Sequence, residues 1–81
     1  MGNQPTTHAN YLYDLGLLLK EAAFEARYRR DAEKSEFEAG RAMAYYEVLS
    51  LMQHQASAFG LPLVDLQLGD VDPERDVLRL R

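Results

Sequence analysis

Cysteine and tryptophan are both absent from the 81 residues of this chain, and histidine occurs only as His8 and His54. Without cysteine there can be no disulfide and no thiolate zinc site, the usual braces of small domains. Two histidines are too few for a histidine-built metal cage within one chain. No apolar run approaches the roughly 20 residues that a membrane span needs, and no signal peptide is read at the start. Charge of one sign is also lacking in excess: nine basic residues stand against thirteen acidic ones, a net charge of −4. That balance weighs against nucleic acid as a partner. Internal repeats and low-complexity tracts are missing too.

What remains is 47% hydrophobic and 27% charged, a globular rather than a disordered composition. The length allows one domain. A domain of this size buries only about 60–65% of the surface its unfolded chain exposes. With disulfides and metals set aside, self-association is the brace left to it.

Composition divides the chain in three. Residues 1–7 (MGNQPTT) are polar, contain Pro5 and hold nothing to bury, so they are expected to form a flexible arm. Residues 8–59 read as two helices, about 8–31 and 36–59, and residues 60–81 as a tail. The break between the helices falls at Asp31 to Ser35. Ser35 followed by Glu38 fits a capping box, and Arg27, Arg29 and Arg30 suit the carboxyl end of the helix before it. Phe59-Gly60-Leu61-Pro62 stops the second helix, with a glycine for a left-handed cap and a proline that cannot continue.

Each helix carries a heptad-type seam. The first runs through Leu12, Leu15, Leu19, Ala22 and Ala26, the second through Ala42, Tyr45, Leu49, Met52, Ala56 and Phe59. Folding the chain back at about residue 34 pairs Ala26 with Ala42, Leu19 with Leu49 and Leu12 with Ala56. Every pair along the seam adds up to 67 or 68, as an antiparallel hairpin requires. The predicted fold class is therefore all-α: a helical hairpin with a packed C-terminal tail. In the tail, Leu61, Leu63, Leu66 and Leu68 suggest an extended segment laid on a groove. Asp72-Pro73-Glu74 reads as the start of a short last helix presenting Val77, Leu78 and Leu80.

The seams leave apolar surface over. Tyr13, Leu17, Phe24 and Tyr28 form a second stripe on the first helix. Phe37, Ala44, Val48, Leu51 and Ala58 flank the second, whose polar strip is only Glu47, Ser50, Gln53, His54 and Ser57. Such faces need a further partner, so these nine residues are the candidate interface. The chain is expected to dimerise through them into a four-helix bundle.

Other motifs give less. Arg27, Arg29, Arg30, Lys34 and Arg41 are the candidate contacts for nucleic-acid phosphates, but Asp31, Glu33, Glu36 and Glu38 interleave with them. That pattern reads as a solvated helix end. Glu21 and Glu25 share a helix face, yet no Glu has a His three residues on, as helical di-iron sites require. Residues 70–81 resemble a calcium loop until Arg75 replaces the turn glycine and Arg81 the bidentate glutamate. The start, MGNQPT, matches a loose myristoylation pattern common by chance. No serine sits in a nucleophile elbow, and no carboxylate is placed to orient His54. The five tyrosines suit half-buried contacts.

The resulting expectation is a small soluble helical protein, not an enzyme and without a cofactor. It acts as a homo-oligomeric protein–protein interaction or regulatory module in the cytoplasm. The alternative is a nucleic-acid-associated regulator using the arginine-rich hairpin tip. Its partners are a second copy of itself and an unidentified protein. Neither membrane nor, on balance, nucleic acid is expected. Seven arginines against two lysines lean towards a bacterial genome.

Overall fold

The hairpin turns on two residues. In the computed structural model, which describes residues 3–79, helix α1 runs Asn3–Glu33 and helix α2 Glu36–Ala58, leaving Lys34 and Ser35 as the whole connection. Lys34 takes the left-handed conformation, φ 56°, and its amide donates to the Arg30 carbonyl at 2.9 Å, closing the last turn of α1. Ser35 is extended, and its hydroxyl accepts from the Glu38 amide at 3.3 Å. Only half of the expected capping box forms. The Glu38 carboxylate turns instead to Arg41, whose Nη1 lies 2.7 Å from its Oε1.

Helix α2 starts at the expected residue, whereas α1 outlasts its expected end by two residues and begins earlier, at Asn3. The backbone of 3–7, expected to belong to the arm, is thus helical. Pro5 falls in the first turn, where a missing N–H breaks no intrahelical bond. Helix α2 ends as Gly60 dictates. At φ 70° it lets the Leu61 amide reach back to Ala56 O at 2.8 Å and its own amide to Ser57 O at 3.1 Å.

Every regular element among the described residues is helical. After Pro62 the chain does not extend, as the leucine alternation suggested, but coils into a 3-10 turn, Leu63–Leu66. The Asp65 amide bonds Pro62 O, Gln67 adopts φ 60°, and the Leu68 amide returns to Leu63 O at 3.0 Å. This compaction drives both Leu66 and Leu68 into the core. Asp72 caps the last element as expected: the Glu74 and Arg75 amides donate to its Oδ1 at 3.2 and 3.4 Å. That element is a single π-helical turn, Glu74–Leu78, closed by the Arg79 amide on Glu74 O. Leu80 lies outside the described residues.

The core forms where tail meets hairpin. Ala23, Leu49 and Ala56 from the helices join Leu66, Leu68, Val71 and Val77 from the tail, with Leu19, Tyr45, Tyr46, Met52 and Leu63 packed around them. Of the buried residues the helices contribute two alanines and Leu49, the tail two leucines and two valines. Ala26 and Ala42, the expected pair nearest the turn, are both fully buried. Leu19 and Leu49 form the expected pair at the middle of the seam. Leu49 is fully buried while Leu19 is half-buried, because the tail closes over only one side of the groove. Gly16 marks the closest approach: a Cβ there would collide with the carbonyl oxygen of Leu66. The whole measures 50 × 20 × 17 Å.

Candidate interaction surfaces

Three side chains fix the tail, and all read its backbone or a single carboxylate. Arg30 is 7% exposed. Its Nη1 donates to the carbonyls of Val77 (2.8 Å) and Leu78 (3.0 Å) and its Nη2 to that of Arg79 (3.0 Å), while Nε bonds Asp31 at 3.0 Å. Gln53 Nε2 donates to Leu68 O and Val71 O, at 3.2 and 2.9 Å. Lys20 Nζ reaches Asp70 Oδ1 at 3.1 Å. These carbonyls lie at or beyond the ends of the tail's short turns, where a covered peptide group needs a partner from elsewhere. Gln53 was expected on the exposed polar strip; it is half-buried because the tail lies against it, while Glu47, His54 and Ser57 of that strip stay exposed. Nothing in the helix pattern names Arg30, Gln53 or Lys20 as clamps, since their partners are peptide groups far along the chain.

This arrangement dismantles the arginine cluster. Arg30 is spent on the tail, so the candidate nucleic-acid surface loses its central guanidinium. Arg27 lies 3.8 Å from Asp31, too far for a hydrogen bond, and its buried Nε is left without an acceptor among the described residues. Arg29 is flanked by Glu25 and Glu33, both at 3.4 Å. Arg41 bonds Glu38 and stacks 5.9 Å above the Tyr45 ring. Lys34 is exposed at the tip.

The titration shifts follow the same local pairs. Hydrogen bonding to Glu38 raises the Arg41 guanidinium above its ordinary value, and bonding to Asp76 raises that of Arg75. Asp70 is lowered by Lys20, and Asp76 by Arg75 and then by the Asp72 amide. The Asp70 and Arg75–Asp76 ties lie at the surface, whereas Glu38 of the Arg41 pair is buried. Among the described residues, no group of three or more His, Asp or Glu is placed to hold a metal ion. No helix among them is long and apolar enough to cross a membrane.

The nine apolar candidates separate into two places. At 100° per residue, Tyr13, Leu17, Phe24 and Tyr28 lie on the outer edge of α1, beside the tail. Tyr13 lines a shallow hollow there with Val64 and Asp65 of the tail. Phe37, Ala44, Val48, Leu51 and Ala58 lie on the side of α2 turned from the tail. Phe37 is 72% exposed and Leu51 65%, with Val48 partly covered at 37%. Tyr11 and Leu18 of α1, 67% and 61% exposed, share this second side. They were missed at the level of sequence because the stripe and the seam had claimed the positions around them.

An apolar cleft of about 320 Å³ opens at the end of the hairpin farthest from the turn. Leu12, Met52, Ala56, Phe59, Leu61 and Leu66 line it, and no charged side chain does. It can hold apolar matter but offers no acid, base or nucleophile. Comparison of the chain with protein-family models, with curated proteins and with solved structures finds no match.

Proposed function

We propose that this chain is a small, non-catalytic, homo-oligomeric module of the cytoplasm, working through protein–protein contact in an interaction or regulatory role. One observation carries the reading: with the tail docked, large apolar side chains still stand exposed along both helices. Tyr11, Leu18, Tyr28, Phe37 and Leu51 each keep more than half of their surface. Isolated exposed apolar residues are ordinary, but rows of them at helical spacing mark a surface made to be covered. A chain of this size gains proportionally more from covering them than a large one does.

Light scattering on the purified chain tests the proposal. A mass at least twice 9.2 kDa at micromolar concentration is expected. A mass of 9.2 kDa throughout that range would overturn the self-association it rests on.

A further inference from the structure

We infer that the side of the hairpin facing away from the tail is the seat of a second copy of this chain, giving a four-helix bundle with the two tails outermost. This rests on the reading that the chain self-associates and adds which face does it. At 100° per residue, Leu51 lies about 160° around α2 from Gln53, which holds the tail. Leu18 lies about 160° around α1 from Gly16, which touches the tail, and equally far from Lys20. The tail therefore occupies one side of the helix pair, and Leu18 and Leu51 occupy the other. Tyr11, Ala22, Ala44 and Val48 fall on that same side, so the apolar positions of two adjacent helices merge into one surface.

The size of this surface fits a second copy. The 23 residues of α2 span about 35 Å at 1.5 Å per residue. Two helices packed 8–10 Å apart offer a face about 20 Å wide. The product, about 700 Å², approaches the roughly 800 Å² that each partner contributes to a standard stable interface.

Its charge fits as well. A surface that meets its own copy has to complement itself, and groups near the two-fold axis face their own kind. Here the charged residues towards the turn are tied to one another, Arg29 between Glu25 and Glu33 and Arg41 with Glu38. Between Leu15 and Ala22 on α1, and between Ala44 and Gln55 on α2, the middle of the face is uncharged; Glu21 and Glu47 stand at its outer rims, about 60° from Leu18 and about 40° from Leu51. The tail-side edge through Tyr13, Leu17, Phe24 and Tyr28 is narrower and is interrupted by Arg27 and Asp31, which makes it the lesser surface.

Sedimentation equilibrium of the full chain, with helicity followed by circular dichroism, provides the test. Leu18→Glu and Leu51→Glu should each raise the dimer dissociation constant at least about 30-fold, as expected for residues central to an interface. Tyr28→Glu, on the tail-side edge, should leave it unchanged. Should a glutamate variant lose its helicity, Leu51→Ala against Tyr28→Ala decides. Both only shorten exposed side chains, and only the first should weaken association. A dimer that resists both Leu51 variants and Leu18→Glu but dissociates on Tyr28→Glu would overturn the inference and leave self-association standing. A wild-type chain that stays monomeric would overturn both.

Discussion

The two sides of this hairpin solve the same problem in opposite ways. On the tail side the helices present small residues and polar clamps: Gly16, Ala23 and Ala56, with Arg30 and Gln53 reaching out to the tail backbone. Apart from Leu49, the buried bulk comes from the tail, as Leu66, Leu68, Val71 and Val77 fill the space. On the bare side the helices carry the bulk themselves, and no other described segment covers it. A side that expects an irregular segment needs room and hydrogen-bond donors. A side that expects another pair of helices needs projecting apolar side chains and no buried donors. The residue types on the covered side thus record the neighbour it meets, and those on the bare side suit the second copy proposed for it.

Paired substitutions, one on each side, can break or sharpen that contrast. The largest effect belongs to Leu49→Ala, which empties the middle of the covered core. It should cost about 2–5 kcal/mol, the range for a buried leucine leaving a cavity. Leu51→Ala should cost the monomer under about 0.5 kcal/mol. Chemical denaturation at concentrations dilute enough to keep the chain monomeric compares them, and equal costs would erase the distinction between the two sides.

Next comes Arg30→Met. It removes a charged donor from three carbonyls, which should cost about 1.5–3 kcal/mol and expose residues 60–79 to proteolysis before the helices. Arg29→Met, one residue away, trims only exposed ion pairs and should cost under about 0.5 kcal/mol. Limited proteolysis with mass mapping reads both.

Glycine gives a pair of opposite sign. Gly16→Ala drives a methyl group into Leu66 O and should destabilise by about 1–3 kcal/mol as the tail shifts. Gly40 has open space around its would-be Cβ. Gly40→Ala should stabilise α2 by about 0.5–1 kcal/mol, because glycine is costly inside a helix. Melting temperatures moving in the same direction would contradict the close approach at Gly16.

Acid has the smallest effect. Asp70 and Asp76 are held below the ordinary carboxylate range by Lys20 and Arg75. Their stabilising effect is therefore complete above the unfolded value of about 4 and is lost as pH falls through the lower folded values. Tail protection in hydrogen exchange should stay flat from pH 8 to 5 once intrinsic rates are corrected. A slight loss should follow below pH 4, screened because both ties are at the surface. Loosening on the alkaline side would contradict the assignment.

Much of this molecule was legible in its residues, and the reason is locality. Ser35 capping α2, Gly60 ending it and Asp72 capping the last turn each act on peptide groups within five residues, so the sequence carries the whole interaction. The seams likewise follow from helical period, and with them the all-α hairpin. Tertiary structure alone decided the side on which the tail would lie. A helix fixes the angle between Gln53 and Leu51 but not which of them will meet the tail, and both positions were open until Leu66, Leu68 and Val77 had docked. That choice turned Gln53 and Arg30 from surface residues into clamps, demanded glycine at position 16, and left Leu18 and Leu51 in the open. The 3-10 turn at Leu63–Leu66 has the same origin. Alternating leucines suit a strand as readily as a coil, and the groove above Ala23 and Leu49 rewards whichever path buries most.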